Sequence, residues 1–183
     1  LARNLEGYHN LLQLVTISHL EGYYYKPRID KETLARLSGG LIGLSGCLRG
    51  EIPRSLGAGN YEQAKKLAHA YQSIFGLNAF YLEIQRVNDE LAQKAVNQLL
   101  VKLSQETGIP LVATADAHYL TPADAKAQDI LVCVATGRTV EDSNRLDMRN
   151  LKLALAGSAE MAALFADLPE ALENTVRIAD SVD

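Results

Sequence analysis

The sequence predicts an α/β fold of parallel strands joined by crossover helices, forming part of a larger barrel or sheet. Three observations carry this. Short apolar runs at 41–45, 79–85 and 110–115 alternate with amphipathic stretches of helical period. Strand and helix recur in units of about 30 to 40 residues, the length of a right-handed β-α-β crossover. Three strands alone leave two open edges and little cover for the helices, so the pattern predicts that part of the fold lies outside the chain.

The elements follow in order from local signals. Residues 3–20 carry Leu5, Tyr8, Leu11, Leu12 and Val15 at helical spacing. A turn follows at Tyr25-Lys26-Pro27-Arg28, because the residue before a proline is pushed out of the helical region. Asp30 then serves as an N-cap with Glu32 in the first turn, and Gly39-Gly40 closes a short helix near Ser38. Residues 41–45 read as a buried strand. Asn60 caps a helix whose inner face runs Tyr61, Ala64, Leu67, Ala68, Tyr71, Ile74 and Phe75, and Gly76 ends it.

A second strand occupies 79–85. The helix predicted over 89–107 turns Leu91, Ala95, Leu99 and Leu103 inward and stops at Gly108. The third strand is 110–115. Thr121-Pro122-Ala123-Asp124 is a strong helix start, with a capping hydroxyl, proline at the first position and an acid three residues after the cap. That helix runs to about Ala135, and Gly137 stops it. Two further helices are predicted over 158–165 and 169–180.

The totals exclude several classes. The chain has 183 residues, 48% hydrophobic and 22% charged, the balance of a globular protein with a real core. Its longest apolar runs, such as 130–135, are far too short to span a bilayer. No signal peptide opens it, yet Leu1 is not a natural start, and an upstream segment is expected. The formal net charge is -4. A module that gripped nucleic acid through its backbone would carry a broad basic face, and the basic spots Lys65-Lys66 and 145–152 are interrupted. Strong direct DNA binding by this chain is therefore not expected. Cys47 and Cys133 have no C-x-x-C spacing and read as reduced thiols of a cytoplasmic protein.

Functional groups of barrels and open α/β sheets gather at the carboxyl ends of the strands. Three places qualify: Cys47 after the first strand, Glu83 in the second, and Asp116 with His118 after the third. An extended D-x-H turns both side chains to one side, and a carboxylate with an imidazole suits Zn²⁺, Mn²⁺ or Fe²⁺. The competing reading is a capped turn with a hydrogen-bonded histidine. Cys47 by itself reads more as a small buried hydrophobe than as a ligand. Glu83 is either an inward carboxylate or the partner of a basic side chain. His9, His19 and His69 lie in helical patterns with surface or capping roles, and Cys133 is core.

Longer strings add a resemblance. Gly22-Tyr23-Tyr24-Tyr25-Lys26-Pro27-Arg28-Ile29-Asp30, Leu41-Ile42-Gly43-Leu44-Ser45-Gly46-Cys47, Phe80-Tyr81-Leu82-Glu83-Ile84-Gln85, Pro110-Leu111-Val112-Ala113-Thr114 and Pro169-Glu170-Ala171-Leu172-Glu173-Asn174-Thr175 occur in order along nearly the whole chain. Together they resemble the PHP (polymerase and histidinol phosphatase) domain of bacterial DNA polymerase III alpha subunits. The resemblance implies a distorted (β/α)7 TIM-like barrel, with 1–157 its C-terminal part and 158–183 a helical tail leading toward the polymerase region.

It further implies two or three divalent metals on the barrel rim, with Cys47, Asp116 and His118 at ligand positions and Asp116 and His118 as catalytic groups. The remaining ligands, including an H-x-H motif, are expected before Leu1. The implied chemistry is phosphoester hydrolysis that removes a misincorporated 3′ nucleotide, in a parent that also needs Mg²⁺ for nucleotide addition. DNA, through the full-length polymerase, and other replisome subunits are the implied partners, and the isolated chain is expected to self-associate. Two other readings stay open. One is a silent scaffold for the polymerase and its proofreading partner, and the other a histidinol-phosphatase-like phosphoesterase. Three departures from the family pattern stand out: Ala115 in place of asparagine, Gln128 in place of histidine, and a shortened 147–157 stretch.

Overall fold

A computed structural model describes residues 1–86, 91–149 and 151–183. Its centre is a three-stranded parallel sheet in the order β1 (Gly43–Leu44), β2 (Phe80–Gln85), β3 (Leu111–Thr114). Gly43 pairs with Phe80, and Leu82 with Leu111. The helices are α1 (Leu5–Leu20), α2 (Lys31–Arg36), α3 (Glu51–Gly57), α4 (Tyr61–Phe75), α5 (Leu91–Thr107), α6 (Ala125–Thr136), α7 (Ser158–Leu164) and α8 (Pro169–Asp180). A 3₁₀ turn, Pro122–Asp124, leads into α6. None of the described helices is long and apolar enough to cross a membrane.

Alternation along β2 divides the molecule into two sides. Phe80, Leu82 and Ile84 enter the main core with Ile52 and Leu56 of α3, Ala64 and Ala68 of α4, and Val96, Leu100 and Leu103 of α5. Tyr81 faces the other way and joins Ile42, Val112 and Ile178 in a smaller cluster. Phe165 and Ala171 bring the last two helices into the main core.

Several predicted elements form as read. Asp30 accepts from the Thr33 amide at 2.7 Å, and Asp124 accepts from the Thr121 amide and hydroxyl at 2.9 and 2.8 Å. Gly137 ends α6 in the left-handed conformation, φ 64°. Asn60 precedes α4 without a side-chain capping bond. The predicted start of α5 at Asp89 lies outside the described residues.

Other readings are corrected. On α5 the buried row is Val96, Asn97, Leu100 and Leu103, while Leu91 and Ala95 are exposed. The helix is rotated so that Asn97 donates to the Gln85 carbonyl oxygen at 2.7 Å, where β2 ends. On α1 the row Leu5, Tyr8, Leu11, Leu12 and Val15 faces outward, and Gly7 and Leu14 face in. The cause is a backbone contact: a Cβ on Gly7 would lie 1.9 Å from the Gly40 carbonyl oxygen, so glycine alone permits that approach. The two sheet edges are not bare. Residues 1–3 run antiparallel beside β1, with Ile42 N–H donating to Leu1 O at 2.8 Å, and Asn174 donates to Leu111 O at 2.7 Å beyond β3.

Helix α3, unread in the sequence, starts just after the Cys47 turn and is tied down at its first residue. Glu51 accepts from Lys31 at 2.6 Å and from the Tyr71 hydroxyl at 2.8 Å, joining α2, α3 and α4. The Lys31 hydrogen bond holds the Glu51 carboxyl below its ordinary value, while burial first and then the bond to Glu51 push Tyr71 up to about 12. A carboxyl with a lowered folded pKa stabilises above its unfolded value, here near 4.5, and that contribution fades as pH falls through the folded pKa. Glu51→Gln should therefore lower the urea midpoint at neutral pH, and the gap to the parent should narrow progressively below about pH 4.5, in urea titrations across that range.

Candidate metal centre

The carboxyl ends of the three strands form one rim. At β1, Ser45 extends the ladder, its amide donating to Tyr81 O at 3.0 Å and its hydroxyl accepting from the Glu83 amide at 2.8 Å. Gly46 turns the chain with φ 77°, and exposed Cys47 accepts the Gly50 amide at 2.8 Å through its carbonyl oxygen. At β2, Glu83 points away from the main core. Its carboxylate accepts from Thr114 Oγ1 at 2.5 Å and Gln85 Nε2 at 3.3 Å, a polar cluster across β2 and β3.

Beyond β3 the chain turns at Asp116, which adopts a left-handed conformation with φ 45°. Aspartate tolerates that region better than most side chains, but it still carries backbone strain. His118 Nδ1 lies 2.7 Å from the Asp116 carbonyl oxygen and 3.9 Å from its Oδ1. With the proton on Nδ1 donated to that carbonyl, Nε2 keeps its lone pair for a ligand.

What holds this turn comes from later in the chain. His118 N–H donates to Leu153 O at 2.8 Å, and Leu155 N–H donates to Tyr119 O at 2.8 Å, with a parallel bridge between Tyr119 and Ala154. Leu153 is fully buried. The stretch 151–155 thus makes one isolated parallel bridge beside the D-x-H turn, outside the three-stranded sheet. Its sequence, Leu151-Lys152-Leu153-Ala154-Leu155, alternates apolar residues with period two, which is the signal that could have found it. Upstream, Arg145 donates to both oxygens of Asp129 on α6, at 2.5 and 3.0 Å, with both side chains almost fully buried. Arg149 donates to Asp147 at 2.6 Å. A cleft of about 580 Å³ opens beside Tyr119, lined also by Arg86, Arg149, Lys152 and Leu155.

Cys47, Asp116 and His118 do not follow adjacent strands. Cys47 follows β1 and the D-x-H turn follows β3, with β2 between them. Parallel strands are spaced by about 4.8 Å, so the two groups start from positions about 10 Å apart. Among the described residues no three His, Cys, Asp or Glu side chains stand close enough to hold an ion. The donor types suit a divalent metal, but the number present makes a pair and not a centre.

Comparison with known proteins follows this geometry. A family model described as PHP domain matches residues 1–87, which include Cys47. The chain is also 51% identical over its whole length to DNA polymerase III subunit alpha of Borreliella burgdorferi. It is 46% identical over 98% of its length to the protein of that name in Helicobacter pylori strain 26695, and 44% identical over 98% to that of Treponema pallidum. It spans 15 or 16% of the length of these relatives. The PHP-domain match stops before Asp116 and His118, whereas the alpha-subunit similarity runs through both.

Because Leu153 fastens His118 through the backbone and fills a closed site, Leu153→Ala should cost about 2–5 kcal/mol. Hydrogen exchange should show the His118 amide losing protection well before the amides of β2.

Proposed function

We propose that this chain is part of a bacterial replicative DNA polymerase III alpha subunit, in the cytoplasm, and that its rim contributes ligands to a divalent-metal phosphoesterase site. The observation that carries the reading is the Asp116–His118 pair, with the His118 amide held by Leu153 O and its Nδ1 2.7 Å from Asp116 O. Alpha-subunit similarity along the whole chain supports it. In this reading residues 1–157 form the C-terminal part of a distorted (β/α)7 PHP barrel, and 158–183 lead toward the polymerase region. Cys47, Asp116 and His118 are metal ligands, completed by side chains from outside this chain. PHP domains are generally metal-dependent, and Zn²⁺, Mn²⁺ or Fe²⁺ there would supply activated water for removal of a 3′ nucleotide. Mg²⁺ would serve the polymerase region, and DNA and replisome subunits would be the partners of the whole protein.

A second reading has its own support. The hydrogen bond from His118 Nδ1 to its own Asp116 carbonyl oxygen also fits a structural turn, in a domain that braces the polymerase and its proofreading partner without chemistry of its own.

Asp116→Asn separates the two readings, since asparagine also accepts the left-handed backbone of that turn. In the full-length protein the substitution should lower metal-dependent 3′ hydrolysis by about a hundredfold or more and leave nucleotide addition intact. Hydrolysis at the parental rate would favour the bracing reading. The isolated 183-residue chain should hold at most one ion, weakly, and should self-associate through the outward apolar row of α1. Elemental analysis and sedimentation check this, and two or more tightly held ions on a monomer would contradict it.

A further inference from the structure

The loop between α1 and α2 places three consecutive tyrosines, Tyr23, Tyr24 and Tyr25, on the surface at 61, 63 and 80% exposure. Isolated exposed aromatics are ordinary, but these are fixed in a shared arrangement. Tyr24 and Tyr25 meet edge to face with centroids 4.6 Å apart, and the Arg28 guanidinium lies over the Tyr24 ring at 5.2 Å. The backbone beneath is closed tightly. Tyr24 N–H donates to Lys26 O at 3.1 Å, and a Cβ on Gly22 would fall 1.9 Å from Arg28 O.

Tyr25 is where the loop departs from what local structure would select. Its φ is 58°, a conformation suited to glycine or asparagine and strained for a bulky side chain. Glycine or asparagine would make the same turn at less cost. A tyrosine held there presents an open ring, buttressed by Tyr24, with the cations Lys26 and Arg28 three residues away or fewer. Carboxylates stand at the two ends of the loop, Glu21 and Asp30, the latter engaged by the Thr33 amide, and none lies from Gly22 to Ile29.

We propose that this loop is a stacking contact for single-stranded nucleic acid, with a base on the open face of Tyr25 and the neighbouring phosphates on Lys26 and Arg28. Aromatic platforms beside cations bind single strands without a broad basic face, because every base offers a π surface. The net charge of -4 is therefore compatible with a local contact of this kind. The proposal is independent of the metal reading, since none of its residues belongs to the rim trio.

The test uses the full-length protein with a 5-iodouracil-substituted single-stranded oligonucleotide, photo-crosslinked and mapped by mass spectrometry. An adduct on the 22–28 peptide is expected. Plain oligothymidylate should compete it away at least about fivefold better than an abasic strand of equal length, the scale of one stacked base. Tyr25→Asn should weaken capture at this loop while leaving the melting temperature unchanged or raised, and Tyr25→Phe should bind like the parent. An adduct absent from this peptide, or equal competition by the abasic strand, overturns the proposal. So does a marked loss of stability in Tyr25→Asn, or protection of Tyr25 from iodination before DNA is added. Those last two results would mean that the ring is covered by protein.

Discussion

β2 bonds along both edges, to β1 on one side and β3 on the other, and it buries Leu82 and Ile84 completely. Each end of the candidate rim is referred to this strand. Ser45 reaches the rim by receiving the Glu83 amide, Thr114 does so by bonding the Glu83 carboxylate, and Asn97 fixes α5 at the Gln85 carbonyl. Buried parallel strands satisfy their backbone groups with each other, so a shift in β2 would expose several groups at once. The rim therefore takes its position from β2.

Much of this was legible in the sequence. Punctuation by Asp30, Gly76, Gly137 and the Thr121–Asp124 box marked helix ends correctly, because those signals act within a few residues. The tilt of helices about their axes was not legible. Leu91, Ala95 and Leu99 form as good an apolar row as Val96, Leu100 and Leu103, and the choice between them was made by one buried amide on Asn97 meeting the end of β2. On α1 the choice was made by two glycine backbones in contact. Neither constraint leaves a trace in periodicity.

The candidate site divides in the same way. The spacing of Asp116 and His118 reads as an extended pair. Asp116 is instead left-handed at φ 45°, and the pair forms a turn with a hydrogen-bonded histidine, the competing reading of the same spacing. The strands pair in their sequence order, so β2 stands between Cys47 and that turn. The support supplied by 151–155 was hidden by the distance of more than thirty residues that its hydrogen bonds to His118 and Tyr119 cross. The chemistry-bearing residues were visible, and the framework that aims them was not.

The buried pair of Arg145 and Asp129 has a bearing on how this part of the molecule opens. Freeing either side chain leaves the other charge in a site from which water is excluded, so a state in which the 138–149 stretch peels from an intact α6 is disfavoured. Helix and loop therefore behave as one cooperative unit of local unfolding, and through Leu153 that unit extends to the His118 turn. Release of the His118 turn is thus coupled to release of the helix that follows it, Ala125–Thr136, and to the stretch that returns to cover both.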